Sequence, residues 1–351
     1  MLYPKGHLTL NKRYIEVLSL NNDVTIIDDG KYFSSIMLPS NTKLIKVISW
    51  RPDVSRFIKI RRVLPFIKYD PIDFLAHLFN LIVISIRLLF YDYHKIIFMS
   101  VRNDVLSLAL PLFKKNSVIA FHHYDIDHLQ THPREISLFK RGMNKMNHIV
   151  LADFIKEGWL KQFNIDSSKI HVVYQPLVDC SENVSFSNVK RKPIIISIGL
   201  TIDEKILEKI IARDKEIKEI LSYHIILRHK ELDYSGLNVS VISGYFDRSV
   251  YNNYLETAAG CLVLYPQSYK LRYSGVIDDA LGHAMNVYGN NIDVVKYFAS
   301  RYPKSCSIVN DIDELFNLTI SEYGMDRQEY ITFVDRHCDK EIVKQFESIL
   351  K

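Results

Sequence analysis

The sequence predicts an α/β protein of two doubly wound domains, and three observations carry that expectation. Strand-like and helix-like stretches alternate almost throughout the 351 residues. Several strand-like stretches are continuous apolar runs rather than alternating ones, the mark of parallel strands covered on both faces. The chain is too long for one typical core, and the polar stretch VDCSENVSFSNVKRK (178–192) breaks the alternation near its middle. Domains at 1–178 and 193–330 follow, joined by a linker at 179–192. A helix over 331–351 is free to pass back from the second domain.

In the first half, strands are expected at 23–27, 44–50, 95–100, 117–121, 148–151 and 170–174. Helical periodicity fills the gaps at 11–20, 73–89, 104–114, 133–146 and 152–163. In the second half, strands are expected at 194–198, 224–228, 239–243, 261–265, 287–288 and 306–309, with helices at 203–212, 247–259, 275–285 and 311–320. Asp247 reads as an N-cap and Gly260 as a C-terminal stop for the helix between them. The tail 327–350 is amphipathic and helical throughout. The apolar run 74–90 is broken by His77, Asn80 and Arg87 and is short for a membrane span, so it reads as a buried helix.

Composition narrows the class. Hydrophobic residues at 48% and charged residues at 24% describe an ordinary globular chain. A formal charge of +5, from 45 Lys+Arg against 40 Asp+Glu, suits anionic ligands but is too weak to argue for nucleic acid. The four cysteines, Cys180, Cys261, Cys306 and Cys338, show no paired spacing, which points to a reducing cytoplasm without structural zinc.

The stretch 261–288, CLVLYPQSYKLRYSGVIDDALGHAMNVY, carries the most chemistry. A buried strand ends at Pro266, a polar loop follows with Lys270 and Arg272, and Ser274-Gly275 opens an amphipathic helix. A strand delivering a Ser-Gly turn onto a helix start presents free N–H groups and a positive dipole end, which suits a phosphate. Ser274, Gly275 and Val276 are the residues of that turn, and Asp279, one turn in, can accept from a sugar or ribose hydroxyl. Lys205, Arg228, Lys230, Lys270 and Arg272 all fall at expected strand ends or helix starts, and Tyr245 follows a strand end where a ring can stack on a base. In the first half, FHHYDIDH (121–128) follows a strand and is dense in titratable groups. His122 and His123 there are candidates for holding a sugar or managing a proton. The spacing matches no metal motif, so no metal is expected.

On the order and spacing of these motifs over about 193–315, the second half resembles the donor-binding domain of the retaining family-4 glycosyltransferases. Gly199 with Lys205 stands where that family has a glycine and a phosphate-contacting lysine; LVLYP and SGVIDDA stand at its strand end and Gly-rich turn. FHHYD resembles the family's interface histidine. The resemblance implies the GT-B fold, two Rossmann-like domains facing across a cleft, and transfer of a hexose from a nucleotide-diphosphate sugar with retention. It implies no cofactor beyond that donor. It implies that Lys205 contacts the donor phosphates and that Asp279, at the second position of the family's carboxylate pair, is catalytic along with His122 and His123. The pattern departs at Leu271, where the family's first carboxylate would lie, at Leu200 in place of an arginine, and at Lys5-Gly6-His7, a reduced Gly-rich loop.

The chemistry is arguable from the residues too. Without a metal, a leaving diphosphate must be stabilised by cations and helix-end N–H groups, and arginine's planar fork holds two phosphate oxygens at once. The stretch 51–68, RPDVSRFIKIRRVLPFIK, mixes cations with Ile, Val, Leu and Phe. It suits an anionic inner leaflet and hence a peripheral enzyme with a glycan or lipid-linked acceptor in surface polysaccharide synthesis. Two rivals remain: a catalytically silent relative that binds a partner subunit, and a tandem-Rossmann oxidoreductase. The second is disfavoured because no G-x-G-x-x-G follows a first strand in either half.

Overall fold

The computed structural model describes residues 8–29, 32–33, 37–50, 69–93, 95–115, 117–123, 127, 129, 132–177 and 190–351. The chain divides into two compact units, residues 1–176 with 339–351, and residues 177–338. Lys5-Gly6-His7, the basic stretch 51–68, Tyr124, Asp125, Ile126, His128, Cys180 and most of the linker lie outside the described residues.

Unit 1 opens with α1 (Leu8–Ser19), then β1 (Val24–Asp28) and β2 (Thr42–Lys46), which pair in parallel as a two-stranded sheet of their own. A four-stranded parallel sheet follows in the order β3 (Lys95–Phe98), β4 (Ser117–Phe121), β5 (Asn147–Val150), β6 (Ile170–Val172). The helices are α2 (Tyr69–Leu88), α3 (Asn103–Ala109) with a 3-10 turn Leu110–Phe113, α4 (Pro133–Gly142) and α5 (Asp153–Gln162). The β4 run SVIAF is buried along nearly its whole length, as a central strand covered on both faces must be.

The expectation of a buried helix at 74–90 is corrected. Ala76, Leu81 and Leu88 face inward, but Leu75, Phe79, Ile82, Ile86, Leu89 and Phe90 are exposed. Total hydrophobicity does not report which face has a neighbour.

One cation ties three helices of unit 1 together. Arg102 donates from Nη1 to Asp73 at 3.0 Å, from Nε and Nη2 to Asp104 at 3.1 and 2.9 Å, and from Nη2 to Glu135 at 3.3 Å. Asp104 and Glu135 sit in the first turns of α3 and α4, where a carboxylate also suits the helix dipole.

Unit 2 contains β7 (Lys192–Ile196), α6 (Glu204–Glu216), β8 (His224–His229), β9 (Tyr234–Ser235), β10 (Val239–Ser243), α7 (Arg248–Thr257), β11 (Ala258–Val263), α8 (Gly275–Gly282), β12 (Asn286–Asn290), α9 (Asp293–Arg301), β13 (Cys306–Val309), α10 (Ile312–Phe316) and α11 (Arg327–His337). Its strands form one sheet in the order β13-β12-β11-β7-β8-β10-β9, parallel except for the short edge strand β9. Asp247 caps α7 as expected, its carboxylate accepting from Val250 N at 2.9 Å. Gly260 does not stop that helix. It lies inside β11, where a Cβ would come within 2.5 Å of the Tyr288 ring. The helix ends earlier, at Thr257, and the strand begins at once.

The expected continuous tail helix breaks at Cys338. α11 stays with unit 2, where Phe333 packs edge-on to Tyr302. The last helix, α12 (Asp339–Leu350), belongs to unit 1. It packs along α1 through the Phe346–Tyr14 ring pair, the Arg13–Asp339 ion pair, and an Asn21–Glu347 hydrogen bond of 2.9 Å. The boundary therefore falls eight residues later than the expected start of that helix at 331.

Replacing Arg102 by Ala would leave Asp73, Asp104 and Glu135 facing one another with little solvent. Breaking a buried ion cluster in this way costs about 3–5 kcal/mol. Denaturant titration should show that loss, and a loss below about 1 kcal/mol would mean the cluster does not hold these helices.

Candidate functional site

In unit 2 the chain leaves β7, builds outward through β8 and β10, then returns to the other side of β7 with β11, β12 and β13. The sheet order therefore reverses between β7 and β11, and ligands of open parallel sheets bind beyond the carboxyl ends of the strands at such a point. Two connections flank it: 197–203 leading to α6, and 264–274 leading to α8. They are in contact. Asp203 N donates to Leu264 O at 2.7 Å, and a Cβ on Gly199 would lie 3.1 Å from Val276 Cγ2. The structure thus brings Gly199, Lys205, Ser274, Gly275 and Val276 to one edge of unit 2.

The two helix tips at this edge differ. α6 is capped by Asp203, whose carboxylate accepts from Lys205 N at 3.0 Å and Ile206 N at 3.3 Å. A tip already neutralised by a carboxylate repels a phosphate. α8 is capped by the neutral Ser274, whose Oγ accepts from Ile277 N at 3.3 Å and shares a 2.8 Å hydrogen bond with the Tyr265 hydroxyl. Ser274 is buried, so its hydroxyl serves the cap. The N–H groups of Gly275 and Val276 have no hydrogen-bond partner among the described residues. Two donors at a positive helix end, beside a glycine that leaves room, form an anion cradle.

The other residues divide. Lys205 is exposed in the first turn of α6. Arg272 is half-buried, with its guanidinium 5.5 Å from the Tyr269 ring centre. Arg228 departs from the sequence expectation of a phosphate-binding arginine: it is 3% exposed, and its guanidinium donates to Ile198 O at 2.9 Å and to Gly244 O. It pins the ends of neighbouring strands, with Phe246 stacked 4.1 Å away. Tyr245 is 88% exposed. Leu271, at the place of the missing carboxylate, is a buried apolar residue.

Asp279 accepts a 2.5 Å hydrogen bond from the Tyr251 hydroxyl of α7. Burial first, and then the Asp279 charge, raise the Tyr251 hydroxyl well above the usual range, so it stays protonated and donating. Tyr251 was missed from sequence; it is one of 21 tyrosines and lies mid-helix, 28 residues from its partner. Asp278, next in sequence to Asp279, points the other way. It is 1% exposed, accepts from the Tyr273 hydroxyl at 2.7 Å, and is held well above the usual carboxylate range by burial.

In unit 1, His122 and His123 leave the end of β4 on opposite sides. His122 is buried, its Nε2 3.0 Å from His148 Nδ1, and its ring stands edge-on to Trp159. His148 Nε2 lies 2.8 Å from Met143 O, which can only accept. With both rings neutral, His148 carries its proton on Nε2 and His122 donates to His148 Nδ1. His123 is half-buried and stacks on Phe121 at 4.8 Å.

Comparison with solved structures places this architecture. The chain superposes on a glycosyltransferase from Rickettsia africae with a TM-score of 0.64, 11% identity, and coverage of 99% of this chain and 95% of that one. For the lipopolysaccharide outer core galactosyltransferase WaaB the TM-score is 0.62, with 12% identity and coverage of 98% and 95%. For a sucrose-phosphate synthase from Thermosynechococcus elongatus the values are 0.63, 11%, 96% and 91%. The fold is GT-B. No protein-family model matches the sequence, and no curated protein sequence matches it.

The buried acid gives a pH test. Asp278 has a folded pKa raised above its unfolded value, so the folded chain is most stabilised below the unfolded pKa. That advantage declines as pH rises towards the folded value, because only the unfolded chain ionises. Asp278→Asn keeps an acceptor for Tyr273 and removes this dependence. Its stability relative to the natural chain should therefore increase from pH 4 to pH 8 in denaturant titrations; a constant difference would show that Asp278 ionises normally.

Proposed function

We propose that the protein is a glycosyltransferase that moves a hexose from a nucleotide-diphosphate sugar to a glycan or lipid-linked glycan acceptor. The observation that carries this reading is the α8 tip: two unclaimed N–H groups beside Gly199 at the point where the sheet order reverses. The similarity of fold to sugar transferases supports it.

In the proposed reaction the α8 tip takes the donor's phosphate oxygens, and Lys205 and Arg272 add positive charge. As the glycosidic bond lengthens, negative charge grows on the leaving diphosphate, and these groups are already oriented towards it. The cradle supplies that stabilisation without a metal. Asp279, held by the Tyr251 hydroxyl, is proposed to accept from a ribose or sugar hydroxyl. His123 is proposed to meet the acceptor, with His122 held in one tautomer behind it. The resemblance to retaining enzymes favours retention, with the donor's own phosphate assisting on the acceptor face.

A thermal-shift panel of UDP, GDP, CMP and dTDP tests the donor site. A nucleoside diphosphate should raise the melting temperature, by an amount that grows with the logarithm of its concentration above Kd, and Lys205→Ala or Arg272→Ala should weaken binding about tenfold, the worth of one charge-assisted contact. Gly275→Pro is the sharper variant. Proline is tolerated at the first position of a helix but lacks the N–H, and Ser274 already has the extended backbone that precedes a proline. It should leave the unliganded melting point nearly unchanged and weaken diphosphate binding by about tenfold. No response to any nucleotide, or an undiminished response in Gly275→Pro, would refute the proposed cradle.

A further inference from the structure

Unit 1 carries a feature that the donor site does not use. The window Pro71–Leu88 of α2 has a mean hydropathy of 1.5, yet only 28% of it is buried. Its outward face carries Leu75, Phe79, Ile82, Ile86, Leu89 and Phe90, each between 39% and 74% exposed. Leu75, Phe79, Ile82, Ile86 and Leu89 follow one another at alternating steps of four and three residues and draw one stripe, about 21 Å long at 1.5 Å per residue, with Phe90 directly after it. Between Asp73 and Asp92 the sequence contains no carboxylate, and Arg87 is the one Lys or Arg.

Aromatic and basic side chains flank the stripe. Trp50, 42% exposed, is joined to α2 by two hydrogen bonds with Asn80, and its ring stands 6.3 Å from Phe79. At the carboxyl-terminal end of α2, Arg87 donates to the Tyr91 hydroxyl at 3.3 Å, and Lys43 Nζ stands 5.1 Å from the Tyr91 ring centre. β3 begins at Lys95, a few residues after α2 ends at Leu88, so this end of α2 lies towards the amino-terminal edge of the four-stranded sheet, opposite the edge where His122 lies. A groove of about 380 Å³ opens at the same edge between α3, β4 and α4. Leu108, Pro111 and Leu138 line it with Lys114, Arg141 and Lys145, and its lining includes no carboxylate.

The charge pattern selects the occupant. A second copy would bring the two basic edges towards each other, which like charge opposes. A crossing helix would have to break the inner face of α2 away from unit 1, including Asp73 from Arg102. A bilayer surface with anionic lipid satisfies every element: apolar side chains at the acyl boundary, Trp50 and Tyr91 at headgroup level, and cations on the phosphates.

We propose that unit 1 docks on an anionic phospholipid bilayer, α2 lying in the surface plane and the Lys114–Arg141–Lys145 edge facing the headgroups. This docking is independent of the donor assignment and rests on unit 1 alone.

Vesicle flotation tests it. The full chain should float with phosphatidylcholine vesicles containing about a third phosphatidylglycerol, and about tenfold less with phosphatidylcholine alone. Phe79→Glu/Ile86→Glu should reduce flotation about tenfold, with unchanged far-UV circular dichroism and an unchanged nucleotide response. Phe79→Ser/Ile86→Ser replaces it if the acidic pair fails to fold. Lys114→Glu/Arg141→Glu/Lys145→Glu should abolish the preference for phosphatidylglycerol. Absence of flotation by the natural chain, or equal flotation by the α2 variants, overturns the proposal. So does light scattering that shows a dimer split by the α2 variants without vesicle binding.

Discussion

The pairing of β7 with β11 is the contact on which the candidate site depends. Chain order would put β11 far from β7, since three strands and two helices intervene. The sheet instead seats it directly beside β7, with Gly260 opposite Ile195 and Cys261 opposite Ile196. The two carboxyl-terminal connections then run side by side, and the Asp203–Leu264 backbone hydrogen bond clamps one to the other. Glycine at 199 eases this approach, since a Cβ there would press on Val276 Cγ2 at 3.1 Å. The Ser274 cap sets where the helix begins, and the strand pairing decides that its two unpaired backbone donors come to this edge.

Cations in this protein do two different kinds of work. Arg102 is surrounded by carboxylates and joins three helices, while Arg191 donates to the carbonyls of Leu255, Ala258 and His283 at the opposite edge of the unit 2 sheet. Arg228 behaves like Arg191 rather than like a ligand-binding residue. A guanidinium whose donors already point at carbonyl oxygens has little left to offer a phosphate. Lys205, exposed on a capped helix, has its charge available, and this difference in engagement separates the structural cations from the candidate ligand-binding ones.

The α/β alternation was legible because parallel strands buried on both faces leave continuous apolar runs, and SVIAF and the CLV of β11 are such runs, although Ala258, Ala259 and Gly260 read as helix and stop rather than as strand. The Ser274 cap and the Ser-Gly turn were also legible, since capping depends on neighbours three residues away. The edge strand β9 was not, being two residues long and held by antiparallel pairing to β10. Nor was the Tyr251–Asp279 pair, which needs α7 and α8 to pack, nor the exposed face of α2, whose apolar composition matches that of a buried helix.

The amino-acid sequence by itself determined the element types, the caps and the turn chemistry, because these are set by interactions within a few residues. The tertiary structure alone decided which strands became neighbours, which arginines were consumed by carbonyls, which of Asp278 and Asp279 faced inward, and that the tail helix broke at Cys338 with its last turns joining unit 1. Those outcomes depend on burial and on contacts between residues distant in the chain, where desolvation sets whether a charge is a strut or a free hand.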